Sequence, residues 1–335
     1  MNRLTYIDIL KGWAILSIVL LHFEVGVFPG WLNAWIGNYM ITAFYITSGW
    51  LTGVKNQELS TRALFYKRLR TLGIPYLWFS LIILVFDLIW WALGNYDGRF
   101  IAREVYKTIT LRGIGTLWFL PALFGGEMIF RALLNKKRIG LIVLALVITI
   151  IYMNGYNVWS TEYRNLNTTN QIIDAPFYTI RKILGAWPVI GIGYLLARGC
   201  SPILLKASKW TVLLLGVLIT GISIWICSGL AGISFHYFNF LIIPVLGPIG
   251  LLLLAYILPN GIAEKFLSYW GRNSLVLMAT HYSLFLVVFQ AIDQFLFNTP
   301  FSGWRTLVWF AITILLEIPV VWLFNNKLTF MLGKR

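Results

Sequence analysis

Long apolar stretches alternate with short polar connections along almost the whole chain. A membrane-crossing helix needs about 20 mostly apolar residues at 1.5 Å of rise each. On that measure the pattern predicts about ten spanning helices, near 6–28, 33–54, 71–93, 114–134, 139–154, 180–197, 211–230, 238–258, 274–296 and 306–325. No internal repeat, low-complexity tract or soluble domain interrupts them. Residues 1–335 therefore read as a single all-α domain, a polytopic membrane helical bundle. The first run is long and only Arg3 precedes it with charge, so it is expected to stay in the mature protein rather than act as a cleaved signal.

That first run, YIDILKGWAILSIVLLHFEV from Tyr6 to Val25, carries Asp8, Lys11, His22 and Glu24. Ionisable groups are costly in lipid and normally face a protein interior, a partner or a water-filled cavity. At about 100° per residue, Asp8, Lys11 and His22 fall on one helix face, and Asp8 and Lys11 are spaced to form an ion pair. His22 lies about 13 residues past Ile9, roughly 20 Å along the helix. Glu24 points away from that face and is expected to reach water at the outer rim. A lone membrane histidine has two readings: satisfied by a neighbour's carbonyl, or placed for chemistry.

Composition fixes the environment. With 59% hydrophobic and 12% charged residues among 335, and a mean hydropathy of +0.77, the chain lies far from soluble averages. Its net charge of +15 does not signal nucleic acid, because the basic residues sit in short connections rather than on one soluble face. Most of the 27 lysines and arginines fall on one side of the predicted bundle. The main clusters there are Lys55 to Arg70, Arg131 to Arg138, and Arg198 to Lys209. The positive-inside rule then places both termini in the cytoplasm.

Two predicted outer connections are long. Residues 95–113 mix basic and apolar side chains and suit an interfacial helix. Residues 154–176 read as a polar loop rich in asparagine, with Tyr156, Trp159 and Tyr163, which suits a sugar surface or an ordinary solvated loop. Cys200 and Cys227 are expected near opposite faces, which disfavours a disulfide. His22, His236 and His281 lack metal-ligand spacing, and neither HExxH nor a phosphate-binding glycine loop occurs, so no metal is expected.

Five motifs in order then point to a family: DILKGWAILSIVLLH (Asp8 to His22), TAFYITSGWLTG (Thr42 to Gly53), YKRLRTLGIPYLWFS (Tyr66 to Ser80), TLWFLPALF (Thr116 to Phe124) and GRNSLVLMATHYSLF (Gly271 to Phe285). Together they resemble the acyltransferase 3 family of integral membrane O-acyltransferases, particularly its fucose 4-O-acetylase-like members. The resemblance spans nearly the whole chain. It implies transfer of an acetyl or other acyl group from cytoplasmic acyl-CoA to a hydroxyl of a surface or exported glycan, or of its lipid-linked precursor, in a bacterial cytoplasmic membrane. Acetyl-CoA is then a co-substrate and no cofactor is permanently bound. The partners are the donor, a carbohydrate acceptor and lipid, with no nucleic acid.

On that resemblance His22 is the general base or an acyl-accepting nucleophile. Lys67, Arg68 and Arg70 clamp CoA phosphates, or else serve only as topological anchors. This chain reads Lys-Arg-Leu-Arg where the family pattern is Arg-x-x-Arg. Glu127 either pairs with Arg131 one turn on, orients His22, or holds Arg70. Trp118 forms an aromatic wall for the sugar or belongs to the interfacial belt. Ser48 permits close packing beside Gly49 or bonds the thioester oxygen. Asn273 and Ser274 cap the ninth predicted helix, and His281, nearer the cytoplasm than His22, is expected to be a donor-binding residue or a structural one. Asp87, Asp293 and Glu317 have no assigned place. The competing class is a transporter or flippase, which would use the same buried ionisable groups as a path, although no paired inverted halves are visible.

Overall fold

A computed structural model describes residues 4–55, 59–229, 243–258 and 260–334, and all regular structure among them is helical. In chain order the helices are α1 (Thr5–Phe23), α2 (Gly30–Tyr39), α3 (Thr42–Lys55), α4 (Thr61–Ala92), α5 (Gly98–Ile109), α6 (Gly115–Lys136) and α7 (Ile139–Tyr163). There follow α8 (Thr168–Leu204), α9 (Lys209–Cys227), α10 (Ile243–Ile257), α11 (Ile262–Arg272), α12 (Ser274–Phe297) and α13 (Trp304–Asn326). Eight of them, α1, α4, α6, α7, α8, α9, α12 and α13, are long and apolar enough to cross a membrane. The protein is a multi-pass integral membrane protein.

The chain forms two compact units, Met1–Asn56 with Val189–Trp322, and Gln57–Pro188 with Leu323–Arg335. In the first unit α1 is central, burying Ile7, Leu10, Ile15, Val19 and Phe23 around its circumference. An all-round apolar helix buries itself in this way. Between membrane helices the driving force is close packing rather than release of water, so small residues decide where backbones meet. A side chain at Gly12 would strike Leu267 O, and one at Gly271 would strike Asp8 O, so α1 and α11 cross backbone to backbone. Likewise Gly49 on α3 faces Ile190 O and Gly193 on α8 faces Ile46 O. Ser48 sits half-buried beside that crossing.

In the second unit α4 starts with Ser60 as its cap, accepting from the Ala63 amide at 3.2 Å, and α5 starts with Asp97 accepting from the Phe100 amide at 2.7 Å. The Tyr76 hydroxyl donates to Thr108 O at 2.8 Å. The end of α5 thus lies beside Tyr76, far from the turn at 93–97 that joins α4 to α5. The segment 95–113 therefore doubles back along α4 instead of lying flat as an interfacial helix. Its one buried side chain, Glu104, has its charge met within the same helix: it accepts from Lys107 Nζ at 2.7 Å and Arg103 Nε at 3.0 Å.

Other expectations change too. The run expected at 33–54 breaks at residues 40–41, where the Thr42 hydroxyl lies within hydrogen-bond reach of the Asn38, Tyr39 and Pro244 carbonyls and offers the backbone an alternative partner. Residues 154–176 are mostly the ends of α7 and α8 rather than a loop, with Trp159 stacked on Tyr163. Glu24, expected in water, is 6% exposed. It accepts from the Val27 and Phe28 amides at 2.6 and 2.8 Å and from Asn33 Nδ2 at 2.8 Å, because the turn through Gly26 at φ 77° folds these donors back over it. Asn273 occupies the helix-cap position, but its amide donates to Tyr269 O at 2.8 Å. His236 and the start of the run expected at 238–258 lie outside the described residues.

Candidate active site

The first unit brings together two histidines 259 positions apart. His22 Nδ1 lies 3.0 Å from His281 Nε2, and His281 Nδ1 lies 2.6 Å from Leu277 O. The carbonyl of Leu277 can only accept, so His281 carries its proton on Nδ1 and offers the Nε2 lone pair to His22. His22 must then donate from Nδ1. This chain of bonds leaves the lone pair on His22 Nε2, the tautomer a base or nucleophile needs.

Burial divides the roles. His281 is fully enclosed, at 0% exposure, while His22 is only half-buried. His281 thus stands level with His22, where it was expected nearer the cytoplasm. The reason is local geometry: the helix widens into a π-turn over His281–Leu286, a distortion common at functional sites. Tyr282 packs edge-on to His22, with ring centroids 4.8 Å apart.

The residue preceding His281 carries a further buried acid. The Thr280 hydroxyl meets both Val276 O, at 2.8 Å, and Glu317 Oε1. Glu317 is 0% exposed, and its Oε2 has no hydrogen-bond partner among the described residues. Sequence reasoning left Glu317 unplaced and missed Tyr282. A glutamate amid the apolar run of α13 was the available signal for the first.

The basic cluster belongs to the second unit. Arg68 Nη2 donates to Glu127 Oε1 at 2.5 Å and Nε lies against Oε2, a two-pronged pair with the arginine side chain 26% exposed and the glutamate 5%. Arg70 Nε donates to Gly333 O at 2.7 Å. Glu127 is thus tied to Arg68, and Arg70 to the last turn of the chain. Lys67 is exposed. A second π-turn, Leu69–Gly73, follows Arg68 directly. Trp118 lies in the same unit, nine residues before Glu127, with Lys182 Nζ 4.2 Å from its ring centroid. In the first unit Asp8 is buried and Lys11 half-buried. Cys200 and Cys227 are free thiols.

A family model described as an acyltransferase domain matches residues 4–326 of this arrangement. The chain belongs to the acyltransferase 3 family. It is therefore a membrane acyltransferase, and the match covers both units, including the histidine pair and the Arg68–Glu127 pair. No curated protein and no solved structure matches the chain. The histidines can move a proton or take an acyl group, and the guanidinium cluster can hold an anionic carrier. Among the described residues no group of three His, Cys, Asp or Glu side chains forms a metal site.

Proposed function

We propose that this acyltransferase moves an acetyl group from cytoplasmic acyl-CoA to a hydroxyl of an exported or surface glycan, or of its lipid-linked precursor, in a bacterial cytoplasmic membrane. The observation that carries the chemical part is the ordered relay from His22 Nδ1 through His281 to Leu277 O.

In the direct path, His22 Nε2 takes the sugar hydroxyl proton as that oxygen bonds to the thioester carbonyl carbon. The carbon–sulfur bond then breaks, and the proton returns to the departing thiolate. In the two-step path, Nε2 itself attacks the thioester carbonyl carbon, the carbon–sulfur bond breaks and CoA leaves as the thiolate; the hydroxyl oxygen then takes the acetyl group from Nε2, and the proton it releases passes through solvent to balance the one the thiolate takes up. Both paths put positive charge on the His22 ring. The Nδ1–H bond to His281 Nε2 stabilises that charge and holds the ring plane.

On the donor side, Lys67, Arg68 and Arg70 supply cations for the CoA phosphates. Glu127 engages the Nε and Nη2 edge of the Arg68 guanidinium, which leaves its other edge for a phosphate oxygen. Trp118 and Ser48 stay assigned to the acceptor and thioester sides. The test is acetyl-CoA turnover by the purified protein in lipid, with a soluble glycan acceptor. Acceptor-dependent release of CoA is expected. Glycan movement across the bilayer without acetylation would overturn the enzyme reading in favour of a flippase.

A further inference from the structure

A cation-rich cluster surrounds Trp118 in the second unit, and its charges have no part in the transfer steps written for His22. Asp174, at 0% exposure, is its one buried carboxylate. Asp174 Oδ2 takes Arg112 Nη1 at 3.0 Å and Arg164 Nε at 3.1 Å, and Oδ1 accepts the Tyr156 hydroxyl at 2.8 Å. Two more cations stand beside these with no acid of their own. The Arg181 guanidinium lies 5.1 Å from the Tyr156 ring centroid, and Lys182 Nζ lies 4.2 Å from that of Trp118 and 5.1 Å from that of Tyr178. Arg112 also covers Tyr178, at 4.7 Å.

Neither Arg181 nor Lys182 makes an ion pair among the described residues, and the buried Arg181 Nε has no hydrogen-bond partner there. Glu162, the other nearby acid in sequence, is exposed and joins no ion pair among them. Four cations thus share one carboxylate. Aromatic faces attract cations but do not neutralise them, so the cluster favours an incoming group with more than one negative charge. Guanidinium forks and a lysine point charge suit phosphate oxygens in particular. Tyr156 also lines an apolar cavity of about 290 Å³ with Tyr152, Gly155, Trp159 and Phe177. That places an aromatic groove next to the charges.

We infer that Arg112, Arg181 and Lys182, set against Trp118 and Tyr178, form a binding site for a phosphate-bearing ligand. Along α6, Trp118 is nine residues from Glu127, about 13 Å of helix, so a single phosphate does not reach both this cluster and Arg68. Two ligands carry the required chemistry: an isoprenyl diphosphate of a lipid-linked sugar, whose chain would use the aromatic groove, and CoA, through a phosphate other than one held at Arg68.

The inference deepens the acetyl-transfer reading, on which its choice of ligands rests, and is tested by binding alone, so that its failure is separate from a failure of turnover. Purified protein in zwitterionic nanodiscs would be titrated with inorganic pyrophosphate, farnesyl diphosphate and CoA, following dissociation constants and thermal midpoints. Wild type is expected to bind at least one of them, and Arg181→Gln with Lys182→Met to weaken that binding more than tenfold while the ligand-free midpoint holds or rises. Relief of unneutralised charge predicts that rise. Lys182→Arg, which keeps the charge, is expected to retain binding and guards against a folding defect. Tighter binding of farnesyl diphosphate than of CoA supports the lipid-linked source, and the reverse order supports the donor. The proposal is overturned if no probe binds wild type, if the double variant binds equally well, or if the substitutions only lower the ligand-free midpoint.

Discussion

His22 Nδ1 and His281 Nε2 are hydrogen-bonded at 3.0 Å across 259 residues of chain, and the half-buried ring is oriented by the fully buried one. In the proposed reaction His281 is a positioning residue that acts through His22. His281→Phe is expected to lower kcat about 10-fold or more, leave acetyl-CoA affinity within twofold and change the pH profile of kcat, since His22 loses its tautomer and charge partner. His281→Gln, whose amide oxygen can accept from Nδ1, is expected to restore part of the rate. Steady-state kinetics across pH checks this; a proportional loss of folded protein with unchanged kcat per folded molecule would make His281 structural only.

Arg68 and Glu127 form the second specific pair. Glu127→Ala is expected to lower stability by about 2 kcal/mol, between the values for exposed and buried pairs, because the arginine is partly solvated. Arg68→Gln and Arg70→Gln are each expected to weaken CoA binding about 10-fold. Calorimetry on the three variants separates the effects, and undiminished CoA affinity in both arginine variants would reduce the cluster to a topological anchor.

The glycine crossings make a packing prediction. Gly12→Val or Gly49→Leu places atoms on a neighbouring backbone carbonyl, which a side-chain rotation cannot relieve. A loss of about 1–3 kcal/mol or more is expected, visible as a lower thermal midpoint in detergent. Gly140→Ala, at a position where an added Cβ meets nothing within 4 Å, is expected to leave the midpoint unchanged.

Glu24 gives a pH prediction. Burial alone raises its pKa, and the hydrogen bonds from the Phe28 and Val27 amides and the Asn33 side chain more than reverse this, so the folded value lies below the ordinary carboxylate value. Such a group contributes stability above its unfolded pKa and loses it as pH falls through the folded value. Glu24→Gln is expected to lower the thermal midpoint at pH 7, with the gap to wild type closing below about pH 4. A gap that stays constant from pH 7 to pH 3 would contradict the assignment.

Much of the fold could be read from apolar run length, because a helix crossing lipid has little freedom in either length or composition. His22 was legible for the same reason: an imidazole some 20 Å along an apolar helix needs a cause. Its partner was not. Residue spacing reports which side chains share a face within one helix, whereas the His22–His281 contact depends on how α1 and α12 cross and on a local π-turn. Glu24 went astray because facing away from His22 was equated with facing water, while a turn at Gly26 returned two amides to it. Residues 95–113 were misplaced because an amphipathic pattern reveals an apolar face without saying what covers it. Asp174 was invisible for a related reason: its partners come from two other segments, Arg112 from the turn after α5 and Tyr156 and Arg164 from the end of α7.

The measurement that tests the central claim most directly is CoA release by purified His22→Ala in lipid, alongside acetyl-CoA binding to the same sample. Loss of turnover by about 10²–10⁴-fold, with donor affinity kept within twofold of wild type, is the expected result. Turnover at the wild-type rate in a variant that binds acetyl-CoA normally would contradict the role assigned to His22.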